Sequence, residues 1–295
     1  MPDSVLQPVR LKFWGVRGSI PVPGPATASI GGNTACVELR ADGDILILDA
    51  GTGIRPLGLA LDQEFKGTSL ALTLLISHTH WDHIQGLPFF QPAYRAQNHL
   101  RILGCKPPAK GLREVLFNQM GNDYFPVAMS DMAANITIAE INAPEFSIGH
   151  VKIRPFRVNH PGAALGYRME TARGSIVYIP DCDPAGWNAA PAGSDADVTE
   201  PRLIEFIRDA NVLIFDGQYD RPEYDGRCDW GHACLEETVN LAVAAGVKQL
   251  YIFHHDPEHD DAQVLQMLAA ARKQAESGGS SLRIEVAREG LEVLL

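Results

Sequence analysis

The chain is poor in cysteine, with five in 295 residues, at positions 36, 105, 182, 228 and 234. The odd count and irregular spacing argue against a disulfide framework and for a reducing, cytoplasmic setting. No apolar run approaches the roughly 18 residues of a membrane helix. The opening MPDSVLQPVRLKF lacks a charged region followed by an apolar one, so no secretory leader is expected. There is no repeat of 20–50 residues and no low-complexity tract. Basic residues are in deficit, 25 Lys and Arg against 36 Asp and Glu, for a net charge of −11 with His neutral. A chain with that balance repels polyanions at long range, and non-specific nucleic-acid binders carry the opposite sign. No large nucleic acid and no membrane is therefore expected as a partner, and a homodimer is left open.

The chain is 45% hydrophobic, which excludes an intrinsically disordered protein. At this length a fold buries roughly 75% of its unfolded surface, so its core needs neither disulfide nor structural metal. Strand signals fall at 11–14, 35–40, 45–49 and 72–77, the last a continuous apolar run suited to a strand covered on both faces. A second series follows at 136–141, 151–158, 165–170, 175–180, 212–215, 250–253 and 282–286. Helical spacing of apolar residues is read at 54–65, 112–120, 203–210, 234–245 and 262–275. Helices collected after groups of strands predict an α/β protein with two sheets inside and helices outside. Residues 15–34 and 182–200, rich in Gly, Pro and Ala, read as loops within one domain spanning 1–295.

The feature that carries chemistry is His78-Thr79-His80-Trp81-Asp82-His83, at the C-terminal end of the strand at 72–77. His78 and His80, two apart in an extended turn, can face one metal ion. Asp82 and His83, on the next turn, can face a second. Imidazole and carboxylate suit Zn, or Mn and Fe where oxygen donors dominate. Other candidates also follow strands: His160 in VNHPG, Asp181 in YIPDCD, and His254 with its rival His255 in YIFHHDP. Strand ends that converge on one sheet edge make a rigid platform for a metal centre. Taken singly, such a His is more often merely hydrogen-bonded and such an Asp more often a turn former. The run Asp256–Asp261 reads as the start of a helix at 258–275, with Asp256 as N-cap and Pro257 at the first helical position.

The pieces FWGVRGSIPVPG (13–24), GGNTACVEL (31–39), LDAGTGIRPLG (48–58), HTHWDHIQGLPFF (78–90), NHPGAALGYRME (159–170), YIPDCD (178–183), GHACLEE (231–237) and IFHHDPEHDD (252–261) span nearly the whole chain. In this order they resemble the metallo-β-lactamase-fold metallohydrolases, in particular the ribonuclease Z and cyclic-phosphodiesterase branch. The resemblance implies an αββα sandwich with two divalent metal ions, Zn with Mn or Fe as alternatives, at one edge. It implies that His78, His80 and His160 bind the first ion, that Asp82, His83 and His254 bind the second, and that Asp181 bridges them. It favours His254 over His255. A hydroxide held between the ions would attack the substrate, with Asp82 and His232 as the catalytic side chains and His232, in GHACLEE, protonating the leaving oxygen. The alternative for His232 is a residue that merely opens a helix. Asp49 resembles a carboxylate that orients a metal-bound His, and Cys182 reads as a packed residue rather than a ligand.

The resemblance thins at one place. The tRNA-processing members carry a long Gly-rich and basic arm, and no such segment is visible. Residues 106–135 offer a short helix and an apolar loop with Met120, Tyr124, Phe125, Pro126 and Met129, which either walls or lids a small pocket or packs on a sheet. With the acidic charge, this favours a small-molecule phosphodiester, of small or cyclic nucleotide type, as substrate. A carboxylic ester, lactone or thioester on the same metals is the second reading, and a non-enzymatic metal-binding regulatory module the third.

Overall fold

A computed structural model describes residues 8–121, 123–184 and 199–295. The first sheet contains β1 (Arg10–Gly15), β2 (Cys36–Ala41), β3 (Asp44–Leu48), β4 (Ala71–Ile76), β5 (His99–Gly104), β6 (Asn135–Glu140) and β14 (Glu292–Leu294), in the order β14-β1-β2-β3-β4-β5-β6. The second contains β7 (Phe146–Ile148), β8 (Val151–Arg157), β9 (Leu165–Thr171), β10 (Gly174–Ile179), β11 (Val212–Asp216), β12 (Gln249–Phe253) and β13 (Arg283–Val286), in the order β13-β12-β11-β10-β9-β8-β7. β3 through β6 run parallel, as do β10 through β13.

Sequence period explains the layering. In β3, Leu46 and Leu48 enter the core between the sheets, while Ile45 and Ile47 face the opposite way into an outer core. A strand buried on both faces needs apolar residues at every position rather than at alternate ones. The outer core of the first sheet is closed by α1 (Ile54–Phe65) and α3 (Leu112–Asn118), through Ile54, Leu57, Leu61, Leu112 and Leu116. On the second sheet α4 (Glu200–Ile207), α6 (Leu235–Ala244) and α7 (Asp261–Ser277) contribute Leu203, Leu235, Val239, Val264 and Leu268. The short helices α2 (Trp81–Ile84) and α5 (Arg221–Asp225) lie in the loops after β4 and β11. This is the expected αββα sandwich. Among the described residues no helix is long and apolar enough to cross a membrane.

Three strands go beyond the sequence reading: β5, β7 and β14. The expected loop at 182–200 lies for the most part outside the described residues. The start of α7 is also corrected. Its N-cap is Asp260, whose carboxylate accepts from the Gln263 backbone N–H at 2.8 Å. Asp256 is buried instead, accepting from Glu258 N at 2.8 Å and Gln218 Nε2 at 3.0 Å. The same residue type serves a turn here because a buried amide competes for its oxygens.

Two contacts fix the sheets against each other beside the parallel strand ends. Tyr167 Oη donates to Ile76 O at 2.6 Å, and Tyr178 Oη donates to Asp49 Oδ2 at 2.8 Å. The loop after β1 is threaded between the sheets, with Arg17 bridging to both Thr34 and His255.

Candidate metal centre

Strand direction brings the candidate residues together. Asp49 follows β3, His78 follows β4, Asp181 follows β10, Asp216 ends β11 and His254 follows β12. β8 is antiparallel to β9, and β9 to β10, so β8 points the same way as β10 and delivers His160 to the same edge.

Four of the five imidazoles, those of His78, His83, His160 and His254, have one nitrogen tied to the scaffold, which leaves the other for the centre. His83 Nδ1 donates to Asp49 Oδ2 (2.8 Å), His160 Nδ1 to Gly231 O (2.8 Å), and His254 Nδ1 to Gln218 Oε1 (2.9 Å). His78 Nδ1 meets Ser77 Oγ at 3.1 Å. Tautomers are assigned from these partners, and such contacts fix ring orientation at metal sites. Asp49 does the most of this work. Besides His83, its carboxylate accepts from Ser77 N (2.7 Å), Ser77 Oγ (2.7 Å) and Tyr178 Oη.

The free nitrogens converge. One atom from each of His78, His80 and His160 forms a group within 4.8 Å, and one from each of Asp82, His83, Asp181 and His254 forms another. Asp181 lies between them. Its Oδ2 is 3.6 Å from His78 Nε2, 3.8 Å from His160 Nε2 and 3.4 Å from His254 Nε2, and its Oδ1 is 3.1 Å from His83 Nε2. Asp82 Oδ2 sits 3.2 Å from His83 Nε2 and 3.1 Å from His254 Nε2. His80 Nδ1 faces His160 Nε2 at 3.0 Å.

Two glycines and two strained residues make room. A Cβ on Gly18 would lie 2.4 Å from the His254 ring. One on Gly231 (φ +83°) would lie 2.2 Å from Pro161 Cδ and 2.9 Å from His160 Nδ1. Asp49 and His254 themselves sit at φ 61°, in the left-handed region. Each costs about 1–3 kcal/mol, a strain that collects at functional sites.

Electrostatics divides the residues into two sets. Burial pushes the pKa of His78, His80 and His160 down, His160 to about 4, so these rings stay neutral and able to coordinate. Burial acts in the same direction on His83, but the carboxylates of Asp181, Asp82 and Asp49 outweigh it and raise its pKa. Asp181 and Asp82 are held well below the usual carboxylate range: burial opposes this, and the surrounding imidazoles, His254 and His83 among them, overcome it.

Divalent cations fit this donor set. His78 Nε2 is buried and has no hydrogen-bond partner. Nitrogen pairs at 3.0 and 3.3 Å, His80 with His160 and His83 with His254, can share at most one proton each and otherwise oppose lone pair to lone pair. A cation relieves both, and neutral imidazole with carboxylate is the ligand set of Zn²⁺ and similar ions.

His255 points away, with Nε2 donating to Ala287 O at 2.9 Å, and burial lowers its pKa to about 3. Its backbone pairs with Val16 and Gly18, which anchors the loop after β1. Cys182 is fully buried in the core and joins no metal-ligand group among the described residues. Of the loop at 106–135, Met120 and Met129 are buried in the outer core, while Tyr124 and Phe125 line a cavity beside Trp81.

His232 lies at the rim. Its Nδ1 donates to Asp216 Oδ2 at 2.9 Å and is 3.8 Å from Asp181 Oδ2, and its ring stacks on His254 with centroids 4.9 Å apart. Burial alone would lower its pKa; Asp216, with help from Asp181 and Asp82, lifts it to about 9. Sequence reading missed Asp216, whose Oδ2 also accepts from Cys182 N (3.2 Å) and Oδ1 from Gln218 N (3.0 Å). The available signal was an Asp closing the apolar strand VLIFD, the same pattern as YIPD at Asp181.

A family profile described as "Beta-lactamase superfamily domain" matches residues 45–255, which is most of the chain and includes all seven converging residues. The chain belongs to the beta-lactamase superfamily. As a member it is a metal-dependent hydrolase. A relative named Ribonuclease Z, from Thermoplasma acidophilum, is 25% identical over 303 aligned positions that cover 90% of this chain and 92% of the relative. Among solved structures, the metallo-beta-lactamase fold protein YhfI from Bacillus subtilis aligns with a TM-score of 0.69 at 18% identity, covering 98% of this chain and 100% of that one. The short form of human tRNase Z aligns at 0.64 and 16%, covering 96% and 98%.

These relatives overturn the expectation that a large nucleic acid is excluded as partner. A ribonuclease by name matches almost end to end. The charge argument fails for a physical reason. A net −11 counts the buried Asp49, Asp82, Asp181 and Asp216 at full weight. Those charges face imidazoles, and divalent cations at the centre would offset them. Net charge describes the far field, not the potential at such a site.

Proposed function

We propose that this beta-lactamase superfamily hydrolase is a phosphodiesterase for nucleotide-type phosphodiesters, small or cyclic ones among them, working with two divalent ions, Zn in the first place. The observation that carries the reading is the placement of Asp181 between a group of three histidines and a group of Asp82, His83 and His254. Seven ligand atoms exceed what one tetrahedral ion uses. Two such ions, held by these residues, would acidify a bound water and polarise a phosphoryl oxygen. The chain's own residues supply the rest. Asp181 and Asp82 balance the cationic charge. Asp49, Gly231 O and Gln218 hold the rings in register. His232, protonated on the side away from Asp216, gives a proton to the leaving oxygen. RNA is a second substrate form, favoured by the Ribonuclease Z relative. The five cysteines, all unpaired, suit a cytoplasmic enzyme.

The test offers metal-reconstituted protein bis-p-nitrophenyl phosphate, cyclic nucleotides, a short RNA and a transfer RNA, a lactone and a thioester. Elemental analysis is run on the same preparation. The diesters should be hydrolysed and the metal content should approach two ions per chain. Faster turnover of the lactone or thioester would overturn the diester reading, and saturation at one ion would overturn the shared role of Asp181.

Asp49→Ala leaves Ser77, Tyr178 and His83 without their common acceptor. Divalent-metal affinity should fall about 10- to 100-fold, the usual effect of losing a group that orients a ligand. Chelator competition measures it, and unchanged affinity would reduce Asp49 to a packing role.

A further inference from the structure

A cavity of about 470 Å³ opens beside the ligand loop, sharing Thr79 and Trp81 with it. Among the described residues four large aromatic side chains are exposed, and three of them, Trp81 (75%), Tyr124 (78%) and Phe89, line this one cavity. A fourth ring, Phe125, meets Phe89 edge to face with centroids 5.4 Å apart. Gln119 also lines the cavity. Lys110 stands at the wall.

Water-exposed aromatic rings clustered in one cavity have an unfavourable cost that a planar ligand removes. Trp81 is flanked in sequence by His80 and Asp82, which sets the cavity beside the ligand loop. We infer that this cavity is the subsite for a nucleobase attached to the scissile phosphate, with Trp81 and Tyr124 as stacking residues. The inference rests on the nucleotide-type reading above. A free nucleotide and the end of an RNA both present this group.

The test is binding rather than turnover. Metal-reconstituted protein is titrated with adenosine 5′-monophosphate, ribose 5-phosphate and a diadenosine ribonucleotide, followed by calorimetry and tryptophan fluorescence. The base should improve affinity roughly 5- to 150-fold over ribose 5-phosphate, the range for one stacked base. Trp81→Ala and Tyr124→Ala should each remove at least about fivefold of that advantage and leave ribose 5-phosphate binding unchanged. Equal affinity for the nucleotide and the sugar phosphate overturns the subsite, even if diesters are hydrolysed. A base advantage that survives both substitutions overturns it as well. A Trp81-dependent advantage in a protein that prefers lactones keeps the subsite and sinks the diesterase reading instead. An advantage larger for the dinucleotide than for the mononucleotide identifies an RNA end as the source of the base.

Discussion

Asp181→Asn should lower diester hydrolysis by at least about 10³-fold while the fold persists. The substitution keeps size and shape and removes one negative charge. In the native chain that charge faces five imidazoles, those of His78, His83, His160, His232 and His254, at 3.1 to 3.8 Å. The amide cannot balance two cations, and its NH₂ would point a donor at them. Metal content should therefore fall together with rate. Folding should survive, because both cores are built from apolar strands and helices away from the site, and a chain of this size does not depend on metals to bury its surface. Rate, metal content and far-UV circular dichroism on one preparation separate these effects. Native turnover in the variant would make Asp181 only a turn residue, and loss of circular dichroism would make it structural.

The contrast between what sequence reveals and what it hides has a physical pattern here. Residues in β3 and β4 are apolar at nearly every position, and that alone marks strands covered on both faces. The ligand loop at 78–83 is legible because so many imidazoles and carboxylates crowd one turn. Asp49 was legible through the family resemblance of its turn, LDAGTG (48–53). β7 and β14 are three residues each and owe their identity to pairing, Phe146 with Ile153 and Leu294 with Arg10. No local period can announce them. β5 does alternate, Leu100 and Ile102 inward, but it begins with His and ends with Gly, and it becomes a strand by lying between β4 and β6. Gln218 carries no local signal, since its role depends on His254, 36 residues away, and Asp216 carries only its place at the end of VLIFD, its role depending on His232, 16 residues away. The cap of α7 was misread because Asp256 and Asp260 are the same residue type, and only the buried Gln218 tells them apart.

His232→Ala should separate proton donation from metal binding. His232 stands in one group with His160 and Asp181, and in another with Asp216 and His254, so geometry allows it to be a ligand as well. The contact that argues for an acid is Asp216 Oδ2 at 2.9 Å from Nδ1, because it lifts the pKa to about 9 and keeps the ring protonated near neutrality. A positioned general acid contributes about 10²- to 10⁴-fold. That loss should appear with cyclic nucleotides, whose alkoxide leaves poorly, and should be much smaller with bis-p-nitrophenyl phosphate, whose phenolate leaves without a proton. Metal content should be unchanged. Asp216→Asn tests the protonated form independently. The active form is the protonated ring, present below its pKa, and removing the carboxylate lowers that pKa. The alkaline limb of the rate against pH for cyclic nucleotides should therefore move to lower pH. Equal losses for good and poor leaving groups would count against an acid, and loss of a metal ion from His232→Ala would make the residue a ligand.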